Sequence, residues 1–272
     1  MDYRKIADGI QRYIENKPND HTAYLDLLSL CRQWEEEDFQ SAHGLNGELR
    51  RLCARQLHRV SPKEADKFYE AWRKSLLFDA PYKFDAFMTY IELDRKPEKR
   101  FYAPRRHYLK PMVQGFQDVL DGKLRLLTIS MPKRAGKSQT GINFVNMLSG
   151  KYPDRSTLME GTGDDLVKSF YNGCLEYLTT PNEYLFYDVF PESRLVQTGA
   201  DTKIINLKSK SRFPTIMCRS IDARQVGLSE ATNVLYLDDC VEGREEAKNR
   251  QRLDDKWEVI SGDIMGRAIE GT

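Results

Sequence analysis

Gly136, Lys137 and Ser138 follow a short apolar run, and two aspartates, Asp238 and Asp239, close a second one, NVLYLDD. A glycine that lets the backbone turn, a lysine that brings a point charge and a hydroxyl that can ligate a divalent cation suit a bound polyphosphate. The first run, LRLLTIS, has Leu124, Leu126, Leu127 and Ile129 as apolar positions, the pattern of a strand covered on both faces. It breaks at Met131 and Pro132. The stretch after Lys137 carries Ile142, Val145, Met147 and Leu148 as the apolar positions of a helix. Strand, loop and helix in that order form a P-loop, Gly-x4-Gly-Lys-Ser/Thr, whose loop amides and helix N-terminus cradle phosphates. The predicted nucleotide-binding set is Lys133, Arg134, Ala135, Gly136, Lys137, Ser138 and Gln139. Lys137 would reach the β- and γ-phosphates and Ser138 would ligate Mg²⁺. Met131 stands where the motif has its first glycine.

NVLYLDD supplies the second half of such a site. A hydrophobic strand ending in acid is the Walker B pattern, in which Asp238 would hold Mg²⁺ beside Ser138. The next acid polarises the attacking water; here it is Asp239, one methylene shorter than glutamate, and Glu242 is the nearest carboxylate that could assist it, with Glu245 and Glu246 beyond. Taken alone, such a run is also how a strand leads into a solvated loop; joined to the upstream loop it specifies ATP hydrolysis. Lys133 and Arg134 would lie close to the γ-phosphate, where they either neutralise charge in the transition state or merely balance phosphate charge. Arg219 and Arg224 precede the strand. They are either arginines offered to a neighbouring subunit's site or surface charges that contact solvent or DNA phosphates.

These halves need an α/β scaffold, and the chain is long enough for one with an appendage. It has 272 residues, 40% apolar and 31% charged, with a net charge of +1, so nucleic-acid contacts must use local patches. Five scattered cysteines without a C-x-x-C pair argue against a disulfide framework and a zinc site. MDYRKIADGI is not a signal peptide and no run nears ~18 apolar residues, so a soluble, intracellular protein is expected.

Residues 1–95 read as a helical N-terminal subdomain. Ile6, Ile10 and Ile14 mark one helix, and Tyr24, Leu27, Leu28, Cys31 and Trp34 a second. Residues 41–47 read as a polar break, and Leu49, Leu52, Leu57 and Val60 as a third helix. Ser61-Pro62-Lys63-Glu64 is a capping box that opens a fourth, through Leu77, and a fifth is predicted over 84–93. His21, His43 and His58 lack metal-ligand spacing. Residues 96–272 read as the catalytic domain. After a basic linker, RKPEKRFYAPRR, a helix is predicted over 109–120. Strands are predicted over 124–129, 156–160, 203–207, 213–218 and 233–239. Helices are predicted over 162–178, 244–252 and 256–269. The alternation implies a mostly parallel α/β sheet flanked by helices.

FYAPRRHYLKPMVQGFQDVLDGKLRLLTISMPKRAGKS resembles the ATPase segment of tailed-bacteriophage large terminase subunits, as do DLVKSFYNGCLEYL, YDVFPESRLV, RFPTIMCRSIDARQVG and LYLDDCVEGREEA. The likeness runs from Phe101 to Thr272. It implies a P-loop NTPase of RecA-like type, acting as a DNA-packaging motor in the host-cell cytoplasm, outside the mature virion, and driven by ATP and Mg²⁺. It also implies partners: double-stranded DNA, a small terminase subunit, a portal protein and further copies of the chain in a ring. An upstream adenine-contacting element maps onto residues 102–106 and Gln114, with Arg105 the expected base or ribose contact. The family also carries a nuclease domain, for which this chain would stop too early. The alternatives are another P-loop nucleic-acid translocase or helicase, or a nucleotide-dependent assembly switch.

Overall fold

Apolar residues at helical spacing, started by capping aspartates, fill the first part of the chain with helices. They are α1 (Tyr3–Asn16), α2 (His21–Trp34), α3 (Phe39–Leu57), α4 (Pro62–Asp79) and α5 (Phe84–Tyr90). Asp2, Asp20 and Asp38 each accept a backbone N–H in the first turn of α1, α2 and α3. At α4 the Ser61 hydroxyl instead donates to the Glu64 carboxylate at 2.8 Å. All five marked residues of α2 are buried. In α1 the inward stripe is Ala7 and Ile14, with Tyr3 and Ile10 packed beside it, and Ile6 is exposed. The structure, a computed structural model, describes residues 1–221, 230–241 and 243–268.

The expected polar break at 41–47 is absent, because α3 runs through it. Its polar side chains are satisfied inside the bundle. Asn46 donates to the Ser75 carbonyl at 2.9 Å, and His43 stands between Asp79 (2.5 Å) and Glu35 (3.1 Å). Asp79 is fully buried and also meets Arg50 and, at 3.5 Å, Lys83. Burial alone would raise the Asp79 carboxyl; the His43 hydrogen bond and the charges of Arg50 and Lys83 outweigh it and hold it below the usual carboxylate range.

The chain divides between Tyr90 and Ile91 into two compact units. At the start of the second, the Leu185 amide donates to the Ile91 carbonyl (3.1 Å) and Arg95 to Glu183 (3.2 Å). The helices here are α6 (Arg106–Leu120), α7 (Lys137–Lys151), α8 (Asp164–Thr179), α9 (Phe186–Val189), α10 (Gly243–Lys248) and α11 (Arg250–Glu258). A π-helical turn, Val259–Ile264, extends α11. The strands β1 (Thr157–Gly161), β2 (Leu195–Gly199), β3 (Ile204–Leu207), β4 (Ile216–Ser220) and β5 (Val234–Asp238) form one sheet in the order β2-β3-β4-β1-β5. β1 pairs in parallel with β4 and β5, while β3 runs antiparallel to both β4 and β2. The unit is mixed α/β, its sheet parallel where β1 is central.

The apolar run at 124–129, expected as a buried strand, is not one. It has no place in the sheet, Leu126 is 74% exposed and Leu124 is 39% exposed. A strand covered on both faces needs a ladder partner as well as apolar side chains, and among the described residues β5 pairs with β1 alone, its other edge taking no strand. Among the described residues no helix is long and apolar enough to cross a membrane.

Replacing Asp79 with alanine strands Arg50 without its buried counter-charge and His43 without its hydrogen-bond partner, at an expected cost of about 3–5 kcal/mol in urea unfolding of the full chain. The carboxyl is lower in the folded than in the unfolded state, so its contribution is complete above the unfolded value of roughly 3.9 and is lost as pH falls toward the folded value. Stability of the native sequence should therefore drop on acidification below about pH 4, and less steeply in Asp79→Ala. Parallel acid limbs for the two proteins would remove Asp79 from this role.

Candidate active site

The loop ahead of α7 is shaped by two left-handed residues, Arg134 (φ 64°) and Gly136 (φ 100°), and by the Ala135 amide donating to the Pro132 carbonyl at 3.2 Å. Gly136 is constrained twice. Its φ suits glycine, and a Cβ there would stand 2.8 Å from Cζ of Phe101. The following helix starts at Lys137, so the amides of its first turn lack intrahelical acceptors and face the loop with the positive end of the helix dipole.

Helix α7 is held firmly. Every residue from Thr140 to Gly150 is buried. A Cβ on Gly141 would overlap the ring and hydroxyl of Tyr236 on β5. Burial, reinforced by the charges of Asp238 and Asp239, keeps the Tyr236 phenol far above its ordinary value and therefore neutral. This packing brings the loop and the end of β5 together. Lys137 Nζ lies 2.7 Å from Asp239 Oδ1 and 3.2 Å from Asp238 Oδ1. Burial pulls the Lys137 ammonium down, but the hydrogen bond to Asp239 and the charge of Asp238 hold it above the usual lysine value.

The two aspartates differ. Asp238 is buried, and its Oδ2 has no hydrogen-bond partner among the described residues. A buried carboxylate oxygen left unpaired costs free energy unless something binds it. Asp239 has an exposed side chain and a left-handed backbone (φ 42°), which aspartate tolerates better than most residues. Its carbonyl accepts from the Thr162 hydroxyl at 2.6 Å and the Thr162 amide at 3.4 Å, which ties the ends of β1 and β5. The hydroxyl of Ser138 and the free oxygen of Asp238 are the hard donors that Mg²⁺ prefers, so the residues present fit that ion.

The other expected residues fall as follows. Ser138 is the second residue of α7, and Lys133 and Arg134 are exposed at the loop tip. Gln139 turns inward and donates to Tyr177 Oη at 3.2 Å. Arg105 lies over the Phe101 ring (5.3 Å) and donates to the Phe101 carbonyl (3.1 Å), one side chain removed from Gly136. Gln114 is exposed and donates to Asp118 on its own helix at 3.0 Å. Arg219 stands in β4 in register with buried Glu160 of β1. Glu246 pairs with Lys256 at 3.0 Å. Glu242 and Arg224 lie outside the described residues.

Three contributors escaped the sequence reading: Phe101 against Gly136, Thr162 bonding Asp239, and Glu92. Glu92 is 3% exposed and accepts the amides of Phe101 and Tyr102, each at 2.9 Å, which fixes Phe101 beside the loop. Burial raises its carboxyl, and those amide bonds offset the rise only in part. The aromatic pair in FYAPRR was the one local signal for Phe101; nothing local marks Glu92.

No protein-family model matches the chain, and no curated protein does so either.

Gly141→Ala should destabilise the protein by about 1–3 kcal/mol through overpacking. Adding Tyr236→Phe removes the nearest atom and should recover part of that loss in a thermal-unfolding comparison. A Gly141→Ala protein as stable as the parent would mean that α7 and β5 can separate without cost.

Proposed function

We propose that this chain is the ATPase motor portion of a tailed-bacteriophage large terminase subunit, a P-loop NTPase that hydrolyses ATP with Mg²⁺ to drive double-stranded DNA into a procapsid. The observation that carries the reading is the convergence of Lys137 with Asp238 and Asp239, residues far apart in sequence that meet within 3.2 Å. The unpaired buried oxygen of Asp238 and the cramped Gly136 add to it, as does the terminase-like order of motifs from Phe101 onward. A small terminase subunit, a portal protein and a ring of like chains are the partners that go with this reading.

In the mechanism, Lys137 leaves Asp239 and donates to the β- and γ-phosphate oxygens, joined by the amides that open α7. Ser138 and Asp238 would hold the Mg²⁺ that accompanies ATP, which would supply charge neutralisation at the phosphate oxygens. Asp239, freed of Lys137, orients a water and accepts its proton as the water oxygen bonds to the γ-phosphorus. The bond from that phosphorus to the β–γ bridging oxygen breaks, leaving ADP and phosphate. Lys133 and Arg134, exposed at the loop tip, would meet negative charge on the transferred group. Arg105 and Phe101 border the loop on the side where the nucleoside would lie.

Lys137→Ala should abolish turnover and weaken ATP binding while the circular dichroism spectrum stays unchanged. Asp239→Asn should retain ATP binding and lose on the order of 10²-fold in kcat. Turnover should rise on adding duplex DNA. Near-parental hydrolysis by purified Lys137→Ala would overturn the site assignment, and turnover indifferent to DNA would favour a nucleotide-dependent assembly switch.

A further inference from the structure

Gln139, the third residue of α7, is held by both its side chain and its main chain. Its Nε2 donates to Tyr177 Oη at 3.2 Å, Tyr177 Oη donates to Asn143 Oδ1 at 3.0 Å, and Asn143 Nδ2 donates back to the Gln139 carbonyl at 2.9 Å. The hydrogen bonds close into a ring that begins and ends on residue 139. Tyr177 is fully buried near the end of α8. Burial, with Tyr184 and Glu92 adding to it, keeps its phenol well above the ordinary value, so the hydroxyl stays protonated and serves as acceptor and donor at once. Packing α8 on α7 needs only the aromatic ring. The hydroxyl adds direction, because a buried polar group that loses one partner is left unsatisfied.

The ring of bonds is braced by aromatic and charged neighbours. Tyr184 stacks on Tyr177 with centroids 4.0 Å apart and 19° between the planes. The Arg95 guanidinium lies over the Tyr184 ring at 4.4 Å and donates to its hydroxyl at 2.5 Å. Glu183 pairs with the arginine at 3.1 Å, and Glu92 stands 3.8 Å from it. Glu92 is the carboxylate that sets Phe101 against Gly136. Arg95 therefore reaches the residues on both sides of Lys137 and Ser138: Gly136 through Glu92 and Phe101, and Gln139 through Tyr184 and Tyr177. The amides of Lys137, Ser138 and Gln139 belong to the first turn of α7 and lack intrahelical acceptors, the arrangement that receives anions at a helix start. Their aim depends on how residues 136 and 139 are held.

We propose that Tyr177 is a positioning residue for this phosphate-binding turn, acting through Gln139, with Tyr184 and Arg95 as its brace. That the anion is the phosphate chain of ATP rests on the nucleotide reading of the site; the hold on residue 139 does not.

The test is a double-mutant cycle on the full chain, with Tyr177→Phe, Gln139→Leu and both together. It is read by steady-state ATP hydrolysis and by hydrogen exchange of the nucleotide-free protein. Tyr177→Phe keeps the ring and its stack and removes one hydroxyl; Gln139→Leu leaves that hydroxyl its acceptor on Asn143. Each single variant should raise KM for ATP about three- to tenfold, the equivalent of one hydrogen bond, and keep kcat within about twofold. A role in folding alone would lower kcat by reducing the active fraction and leave KM unchanged. The double variant should show no further rise, because both changes break the same link. In Tyr177→Phe, amide exchange over residues 136–143 should quicken by a similar factor while residues 195–207 keep the parental rate. An unchanged KM, or KM effects that multiply in the double variant, overturns the proposal. If the parent neither binds nor hydrolyses ATP, the nucleotide reading fails and exchange decides. Faster exchange confined to 136–143 then upholds the hold on the turn, and exchange that is unchanged or faster everywhere overturns it.

Discussion

The approach of α7 to β5 governs the whole end of the sheet where Lys137 lies. Gly141 leaves no gap between helix and strand, and Tyr236 fills the contact with a phenol too deeply buried to ionise. With the helix so fixed, its first residue must project toward the strand's last. The pairing of Lys137 with both aspartates follows from packing several residues away, and it concentrates one cation and two anions where the first-turn amides of α7 are also free. Such preorganisation costs little at the moment of binding, because its cost was met in folding.

Around this core, smaller devices set individual groups. Glu92, buried and bonded to two amides, places Phe101; Phe101 in turn closes on Gly136 and carries Arg105. Thr162 holds the backbone of Asp239 in its left-handed turn. Each is a single side chain acting on main chain, so each can position a group without enlarging the core. At the other end of the sheet, similar side-chain-to-carbonyl bonds, Ser193 to Gly150 and Thr215 to Pro153, tie three loops together.

What was legible in the sequence is what depends on local order. The helix after Lys137, the strands beginning near residues 157 and 234, and the pairing of a Gly-Lys-Ser loop with an acid-terminated strand could all be read from spacing. What was misread depends on neighbours. The run at 124–129 has the composition of a buried strand, but composition does not supply the ladder partner, and Leu126 remains in solvent. Residues 41–47 look like a break because His43 and Asn46 are polar; Asp79 and Ser75, distant in sequence, let both be buried within a helix. β2 was missed because an edge strand with alternating exposure carries little apolar signal. Glu92 looks like a surface acid until the amides of Phe101 and Tyr102 are found against it.

The register of β1 has a kinetic consequence. Its two ladder partners lie far downstream, Thr157 opposite Ile216 on one side and Val234 on the other. Non-local parallel pairing of this kind forms slowly, because long loops must close before any strand contact rewards them. The helices of Met1–Tyr90 pack largely on sequence neighbours and can be complete long before that. Helix α7, buried from Thr140 to Gly150, packs on α6 and α8 but gains the last of its cover, Tyr236, only after β5 exists. During synthesis the nascent protein therefore passes through a state with a finished helical unit and an incompletely covered α7, the interval in which a chaperone would matter most.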